Sequence, residues 1–332
     1  MPSVLVVRND KLGDFMLAWP ALAWLREMMP AGRIGVLVSR AVADMAAHCP
    51  HIDEVIVDDA QPGVALATRL ESAGFDASIV LHNDTPTLRA LVRGCIGYRL
   101  GPASKLAQLW LTDRLIQRRS KSLKPEFEYN CDLIRRFAED WHIPLPDRPD
   151  PPFLAFDGSA LERLRHQCQR KYGFADSDRL LLVHPGSGGS AANLSPSAYA
   201  RLIDAIDAPD VFVLVTSGPG ESSIAAEVVR GVRRRGVAHH DSSDGLITFA
   251  KLIALGQAFI SGSTGPLHIA GALNARTVGF YPNRRSSTAL RWQTTNEAAR
   301  RLAFSPPQSA GESDMAEIDL SEVAVAISRA FL

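Results

Sequence analysis

What most restricts the fold of this 332-residue chain is a short run of contiguous apolar residues that recurs, each time followed by a loop and a helix-like segment. In the first half the runs are Val4-Leu5-Val6-Val7, Gly35 to Val38, Val55-Ile56-Val57 and Ala77 to Leu81. In the second they are Leu180 to Val183, Val211 to Val215, Ala258-Phe259-Ile260 and Thr277 to Tyr281. Runs this short and this predominantly apolar read as strands buried on both faces of a parallel sheet. Between them lie helix-like segments: Phe15 to Met29, Ala41 to His48, Val64 to Ala73, Thr87 to Gly94, Pro196 to Ile206, Glu221 to Arg235 and Leu246 to Leu255. Such alternation requires a mostly parallel sheet with helices on both faces, an α/β chain.

The alternation stops and restarts. From Pro144 to Pro152 there are five prolines with three charges between them. Proline blocks helix continuation and stiffens an extended segment, so this stretch is the expected interdomain linker. The chain is therefore read as residues 1–150, residues 151–315, and a terminal amphipathic helix, 316–332, expected to pack back on the first domain. Its apolar residues, Leu320, Val323, Ile327 and Phe331, have helical spacing.

Thirty-six cationic and 36 anionic residues cancel. Whole-protein attraction to nucleic acid or to an anionic membrane is not expected, and any such attraction must be local. The four cysteines (Cys49, Cys95, Cys131, Cys168) are far apart, which argues against a zinc site and suits reduced thiols. The chain enters a strand without a basic leader, and its longest apolar run, Phe15 to Leu25, is about half of what a spanning helix needs. A cytoplasmic protein is expected.

Open α/β sheets bind ligands beyond the carboxyl ends of their strands, so the strand-end loops carry the functional reading. The first is Arg8-Asn9-Asp10-Lys11-Leu12-Gly13-Asp14, with two cations and two carboxylates. The competing reading is a solvated turn whose Asp14 caps the next helix. The second, His184-Pro185-Gly186-Ser187-Gly188-Gly189-Ser190, lets backbone amides approach a ligand, as phosphate sites require, although many such loops are only turns. In the third, Ser261-Gly262-Ser263-Thr264-Gly265-Pro266-Leu267-His268, a helix begins whose positive end and free amides suit an anion. Glu221, after Ser217-Gly218-Pro219-Gly220, either accepts from ribose hydroxyls or simply favours a helix N-terminus. Arg114, Arg118, Arg119, Lys121 and Lys124 lie in a polar stretch before the helix Phe127 to Trp141. They form either a solvated face or an anion-binding loop. Asp176-Ser177-Asp178 has the spacing of a metal motif but precedes a strand, so it reads as a turn.

VLVVRNDKLGDFMLAWPAL, HPGSGGSAANLS and FISGSTGPLHIAGAL together resemble, in order, the motifs of family 9 glycosyltransferases, which include the ADP-heptose:lipopolysaccharide heptosyltransferases. The resemblance implies a GT-B fold, two Rossmann-like domains facing each other across a cleft. It implies metal-independent, inverting transfer of a heptose from a nucleotide-sugar to a sugar of a lipid-linked core oligosaccharide, without cofactor. Asp14 corresponds to the family's base. Ser187, Gly188, Gly189, Ser190, Glu221, Ser263, Thr264, Gly265 and His268 fall at donor-binding positions. Arg118, Arg119, Lys121 and Lys124 are the candidates for the acceptor's phosphates, at the inner face of the inner membrane, with peripheral membrane contact and no nucleic acid.

Two departures stand out. Family members commonly carry Lys-Asn-Trp after the Gly-Ser segment, the lysine contacting donor phosphate, whereas this chain has Ala192-Asn193-Leu194. Arg8, Lys11, Arg284 or Arg285 would have to supply that charge. Ser263 stands where Asp is common. A degenerate nucleotide-sugar binder, a transferase for another nucleotide-sugar and an epimerase are the alternatives. A nicotinamide-dependent oxidoreductase is disfavoured, because the first loop holds only Gly13 where G-x-G-x-x-G is needed.

Overall fold

A computed structural model describes residues 1–59, 63–104, 106–189 and 192–332. The chain divides into two compact units: Met1–Arg119 with Lys124–Phe153, and Ser120–Leu123 with Leu154–Leu332. Against an expected boundary at 150, the division falls after Phe153. The four residues Ser120–Leu123 belong to the second unit, where Ser122 Oγ donates to Arg285 O at 2.6 Å.

The first unit's strands are β1 (Val4–Val7), β2 (Ile34–Ser39), β3 (Glu54–Asp58), β4 (Ala77–Val80), β5 (Tyr98–Pro102) and β6 (Asp113–Leu115). All pairings are parallel, in the order β3-β2-β1-β4-β5-β6. The helices are α1 (Leu12–Met16), α2 (Trp19–Met28), α3 (Ala43–Ala47), α4 (Gly63–Ala73), α5 (Thr85–Arg93) and α6 (Glu126–Asp140). β1 and β4 are buried at every position, as strands in the middle of a doubly covered sheet must be. The single helix expected from Phe15 to Met29 is two, broken at Leu17–Ala18. Pro20 has no N–H to give to the carbonyl of Met16, so it starts a new helix.

The second unit repeats the plan with α7 (Gly158–Tyr172), β7 (Arg179–His184), α8 (Pro196–Ala205), β8 (Val211–Ser217), α9 (Ser222–Gly231), β9 (Val237–Asp241), α10 (Leu246–Leu255), β10 (Ala258–Gly262), α11 (Gly265–Ala272), β11 (Thr277–Phe280), β12 (Arg301–Phe304) and α12 (Leu320–Phe331). Its sheet runs β12-β11-β10-β7-β8-β9, again parallel throughout. The run Thr277 to Tyr281 was expected to close this sheet, but β12 pairs beyond it. The α12 helix is capped by Asp319, which accepts from the amides of Ser321 and Glu322. Its buried face (Val323, Ile327, Phe331) joins Tyr199, Leu202 and Ile203 in the second unit's core. This corrects the expectation that the terminal helix packs on the first domain: its apolar stripe is already used within the second.

Numbered within its own unit, each sheet has the strand order 3-2-1-4-5-6 of a dinucleotide-binding fold. The order reverses between β1 and β4 in the first unit and between β7 and β10 in the second. Ligands bind such sheets at those switch points.

Candidate active-site loops

Each of the three loops read from the sequence begins at a switch-point strand: Arg8 to Asp14 after β1, His184 to Ser190 from the last residue of β7, and Ser261 to His268 at the end of β10. Ser190 lies outside the described residues.

In the first unit the organising side chain is Arg8, 3 % exposed. Its Nε donates to Asp10 Oδ1 at 2.9 Å, one terminal nitrogen donates to Asp14 Oδ1 at 2.5 Å, and the other lies 3.6 Å from Glu126 Oε1 and donates to Leu81 O at 3.3 Å. Burial works against the guanidinium charge. The carboxylates of Asp10, Asp14 and Glu126 outweigh it and hold the pKa above its ordinary value. Burial also pushes the Asp10 carboxyl up, opposed by Arg8. His82 Nδ1 lies 3.7 Å from Asp10 Oδ2. On Asp14 only Oδ1 is engaged; Oδ2 takes no hydrogen bond among the described residues, and the side chain keeps 17 % of its surface. Asp14 sits within α1, whose N-terminal flank makes no side-chain cap, so the capping reading of this carboxylate does not describe it.

The two cations of this loop therefore differ. Arg8 is committed to three carboxylates, which removes it as a source of positive charge for a donor phosphate. Lys11 is exposed and has no ion pair among the described residues. The basic run divides similarly. Arg119 donates to Glu126 Oε1 at 2.7 Å and to Leu81 O at 3.0 Å, and Lys124 pairs with Asp132 and lies over the Tyr129 ring at 5.0 Å. Arg118 and Lys121 are exposed. The run is thus not one solvated face. Glu126, which gathers Arg8 and Arg119, was absent from the sequence reading. The signal was there: an acidic first turn directly after a run of cations.

In the second unit Glu221 ties the loops together. It occupies the N-cap position of α9 but makes no capping bond with its side chain. Instead Oε1 accepts from the Gly188 amide at 2.8 Å and Oε2 from the Gly218 amide at 3.2 Å. A Cβ on Gly186 would lie 2.0 Å from Glu221 Oε2, so the loop closes around this carboxylate only because residue 186 has no side chain. Gly188 and Gly189 have φ of +52° and +70°, the left-handed region that suits glycine. His184 Nε2 lies 3.5 Å from Glu221 Oε2, and its Nδ1 is 3.0 Å from Thr216 Oγ1. Burial pushes the His184 imidazole down to about 4, against the pull of Glu221, so it is neutral at pH ~7.

Asn193 joins the second loop to the third. Its Nδ2 donates to Pro185 O at 2.9 Å, and its Oδ1 accepts from Tyr199 Oη at 2.7 Å. A Cβ on Gly262 would lie 2.5 Å from that Oδ1, so the two loops touch at a glycine. Asn193 was noted only as a motif letter in the sequence and not as a site residue. Thr264 caps α11 by position, with its Oγ1 3.0 Å from Ser261 Oγ. Pro266 stands at the second helical position, where its missing N–H costs nothing. His268 is buried in the first turn, whereas Ser187 and Ser263 are half-buried. Arg284 and Arg285 are exposed. Asp176 to Asp178 forms a turn ahead of β7, closed by the Ala175 amide donating to Asp178 Oδ2 at 2.8 Å. No helix among the described residues is long and apolar enough to cross a membrane.

Comparison with known proteins bears on the family through sequence and on the fold through shape. Residues 64–310 match the model of glycosyltransferase family 9 (heptosyltransferase). A putative glycosyltransferase of Haemophilus influenzae is 42% identical over 328 residues, 97% of this chain and 94% of that protein. The structure of E. coli ADP-heptose lps heptosyltransferase II superposes with a TM-score of 0.80 at 17% identity, over 99% of this chain and 98% of that one. E. coli heptosyltransferase WaaC with ADP superposes at 0.74 and 15% identity, over 98% and 99%.

Proposed function

We propose that this chain, which belongs to glycosyltransferase family 9, moves a heptose from an ADP-heptose-like nucleotide-sugar to a sugar of a lipid-linked, lipopolysaccharide-type acceptor. That it is a glycosyltransferase follows from the family. The donor, the acceptor, the inverting course and the independence from metal are the proposal.

The reaction is a single displacement. The acceptor hydroxyl oxygen attacks the anomeric carbon, and the bond from that carbon to the diphosphate oxygen breaks. The diphosphate leaves with the bonding electrons, and the hydroxyl proton passes to Asp14. The observation that carries the reading is the state of Asp14: Oδ1 held at 2.5 Å by an arginine that is itself fixed by Asp10 and Glu126, and Oδ2 unengaged. A carboxylate oriented at one oxygen and open at the other is what general-base assistance to a hydroxyl needs, an effect worth about 10²–10⁴ in rate. Growing charge on the leaving diphosphate falls to the glycine-loop amides and the first turn of α11. The Gly188 amide already holds Glu221, so the phosphate and this carboxylate have to share or exchange it. Lys11 is the remaining cation of the first loop.

Asp14→Asn tests the reading. Transfer to acceptor should fall by about 10³-fold while affinity for the ADP-sugar stays within about two-fold. Loss of donor binding with unchanged single-turnover chemistry would remove Asp14 from the role of base. The presence of Ala192 where a phosphate-binding lysine is common favours one second reading, a degenerate binder. Calorimetry with ADP separates the two, since absence of heat at millimolar ligand selects the degenerate case.

A further inference from the structure

We propose that His82, two residues beyond β4, is a specificity residue that accepts a hydrogen bond from a second hydroxyl of the acceptor sugar while Asp14 takes the reacting one. This deepens the transfer reading and rests on it for the identity of the ligand.

The second switch-point strand of the first unit, β4, ends at Val80, and the residues on both sides of His82 are anchored. Leu81 is fully buried, and its carbonyl accepts from Arg8 at 3.3 Å and from Arg119 at 3.0 Å. Asn83, 4 % exposed, donates to Pro102 O at 2.7 Å. The chain path at His82 is therefore fixed from both sides, yet 40 % of its side chain is exposed. An imidazole held in this way at the carboxyl end of a switch-point strand stands where such a sheet meets its ligand.

Its two nitrogens are not equivalent. Nδ1 lies 3.7 Å from Asp10 Oδ2, too far for a hydrogen bond but close enough for the carboxylate to favour the proton on that nitrogen. In the neutral ring Nε2 then carries the lone pair. His82 makes no hydrogen bond among the described residues, so this acceptor is uncommitted. Asp10 does not depend on the histidine for its own place: Oδ1 accepts from Arg8 Nε at 2.9 Å, and its main-chain oxygen accepts from Ser39 Oγ at 3.1 Å. Asn9, the next polar side chain along, is already spent on Asp58 at 2.7 Å and Thr87 at 2.9 Å.

One arginine thus sets two open acceptors. Its Nε holds Asp10, which biases His82, and its Nη2 holds Asp14, whose Oδ2 is unengaged. A sugar carries hydroxyls on successive carbons, so one can give its proton to Asp14 while another donates to His82 Nε2. An alcohol with a single hydroxyl can use only one of the two. The arrangement selects a polyol.

The test uses the full chain with ADP-heptose and de-acylated, heptose-free lipopolysaccharide. His82→Phe keeps a ring and removes the acceptor nitrogen. It should raise the KM for the lipopolysaccharide about ten-fold, the worth of one hydrogen bond made alike in ground and transition states. kcat, ADP affinity and melting temperature should not move. His82→Gln, whose Oε1 can accept, should stay within about three-fold of the parent. A second readout needs no turnover. The ring-nitrogen resonances of His82, assigned by their absence in His82→Gln, should report the Nδ1–H tautomer, and the Nε2 signal should shift when the lipopolysaccharide is added. The proposal is overturned if His82→Phe leaves KM unchanged or lowers kcat instead, or if His82→Gln is as impaired as His82→Phe. It is also overturned if the Nε2 signal does not respond. Response of Nε2 in a parent that transfers nothing would strike the transfer reading and leave the contact standing. Transfer with a silent Nε2 would do the reverse.

Discussion

Replacing Gly186 by alanine isolates the contact on which the second unit's site depends. The added Cβ would lie 2.0 Å from Glu221 Oε2, 2.2 Å from its Cδ and 2.5 Å from Oε1, all impossible separations. Residue 186 does not need a left-handed backbone, so the penalty comes from displacing the carboxylate. Once it moves, the Gly188 and Gly218 amides, now at 2.8 and 3.2 Å, lose their acceptor. A hydrogen bond to an ionised group contributes about 1.5–3 kcal/mol net. The Gly188 amide lies in an exposed turn where water can replace the carboxylate, so the Gly218 bond dominates and the expected loss is about 2 kcal/mol. The cause can be separated from any general effect of a methyl group. In a Glu221→Ala background the space is empty, and Gly186→Ala should cost nothing, or stabilise slightly by restricting the unfolded chain. Urea denaturation of the four proteins gives the interaction energy, expected near 2 kcal/mol with the double variant more stable than the sum predicts. Additivity within about 0.5 kcal/mol would refute the argument, because it would mean that the glycine and the carboxylate do not meet.

Arg8→Met leaves Asp10, Asp14 and Glu126 without their shared cation in a buried setting and should cost about 3–5 kcal/mol, measured by urea denaturation; a loss below about 1 kcal/mol would show that the carboxylates find other partners. His184 has a folded pKa of about 4 against an ordinary 6.5, so the unfolded chain takes up the extra proton between those values. Its stabilising contribution is complete above 6.5, should fall by about 2 kcal/mol by pH ~5, and should be absent from the stability–pH curve of His184→Gln. Ala192→Lys should tighten ADP binding about ten-fold, the effect of one nearby cation on a diphosphate at partial screening, and calorimetry reads it directly. Asn193→Ala removes the side chain between Pro185 O and Gly262 and should weaken ADP binding more than it lowers the melting temperature.

Most strands found in the sequence are buried on both faces, where they become nearly uninterrupted apolar runs: β1, β2, β4, β7, β8, β10 and β11 are of this kind. The edge strand β3 was found as well, through Val55-Ile56-Val57, although only Ile56 is buried. The strands that were missed sit at or next to the sheet edges, where polar residues enter: Tyr98 to Pro102 in β5, Asp113-Arg114-Leu115 in β6, Val237-Ala238-His239-His240-Asp241 in β9, Arg301 to Phe304 in β12. The α7 helix was invisible for a related reason: it buries only Cys168 along fifteen residues, so no apolar periodicity marks it. Loop positions were legible because a loop inherits its place from the strand before it. The partners of the loop side chains were not.

That difference decides how the first loop should be understood. Read along the chain, Arg8 and Lys11 are equivalent cations three residues apart, either of which could compensate for the alanine at 192. The fold breaks the equivalence. Arg8 follows the last residue of a buried strand, so its side chain starts inside the unit and meets Glu126 there, a residue more than a hundred positions away in sequence. Lys11 lies past the turn, outside. An arginine held by three carboxylates cannot also neutralise a phosphate without releasing one of them, and releasing Asp14 would disorder the proposed base. The roles must therefore separate: Arg8 fixes Asp14, and any compensating charge from this loop comes from Lys11. If that is right, Lys11→Gln raises the KM for the nucleotide-sugar and leaves the pH profile of kcat unchanged, whereas Arg8→Lys, which keeps the charge but loses the fork that holds Asp10 and Asp14 together, shifts that profile. The opposite pattern, with Lys11→Gln moving the pH profile and Arg8→Lys moving only KM, would reverse the assignment.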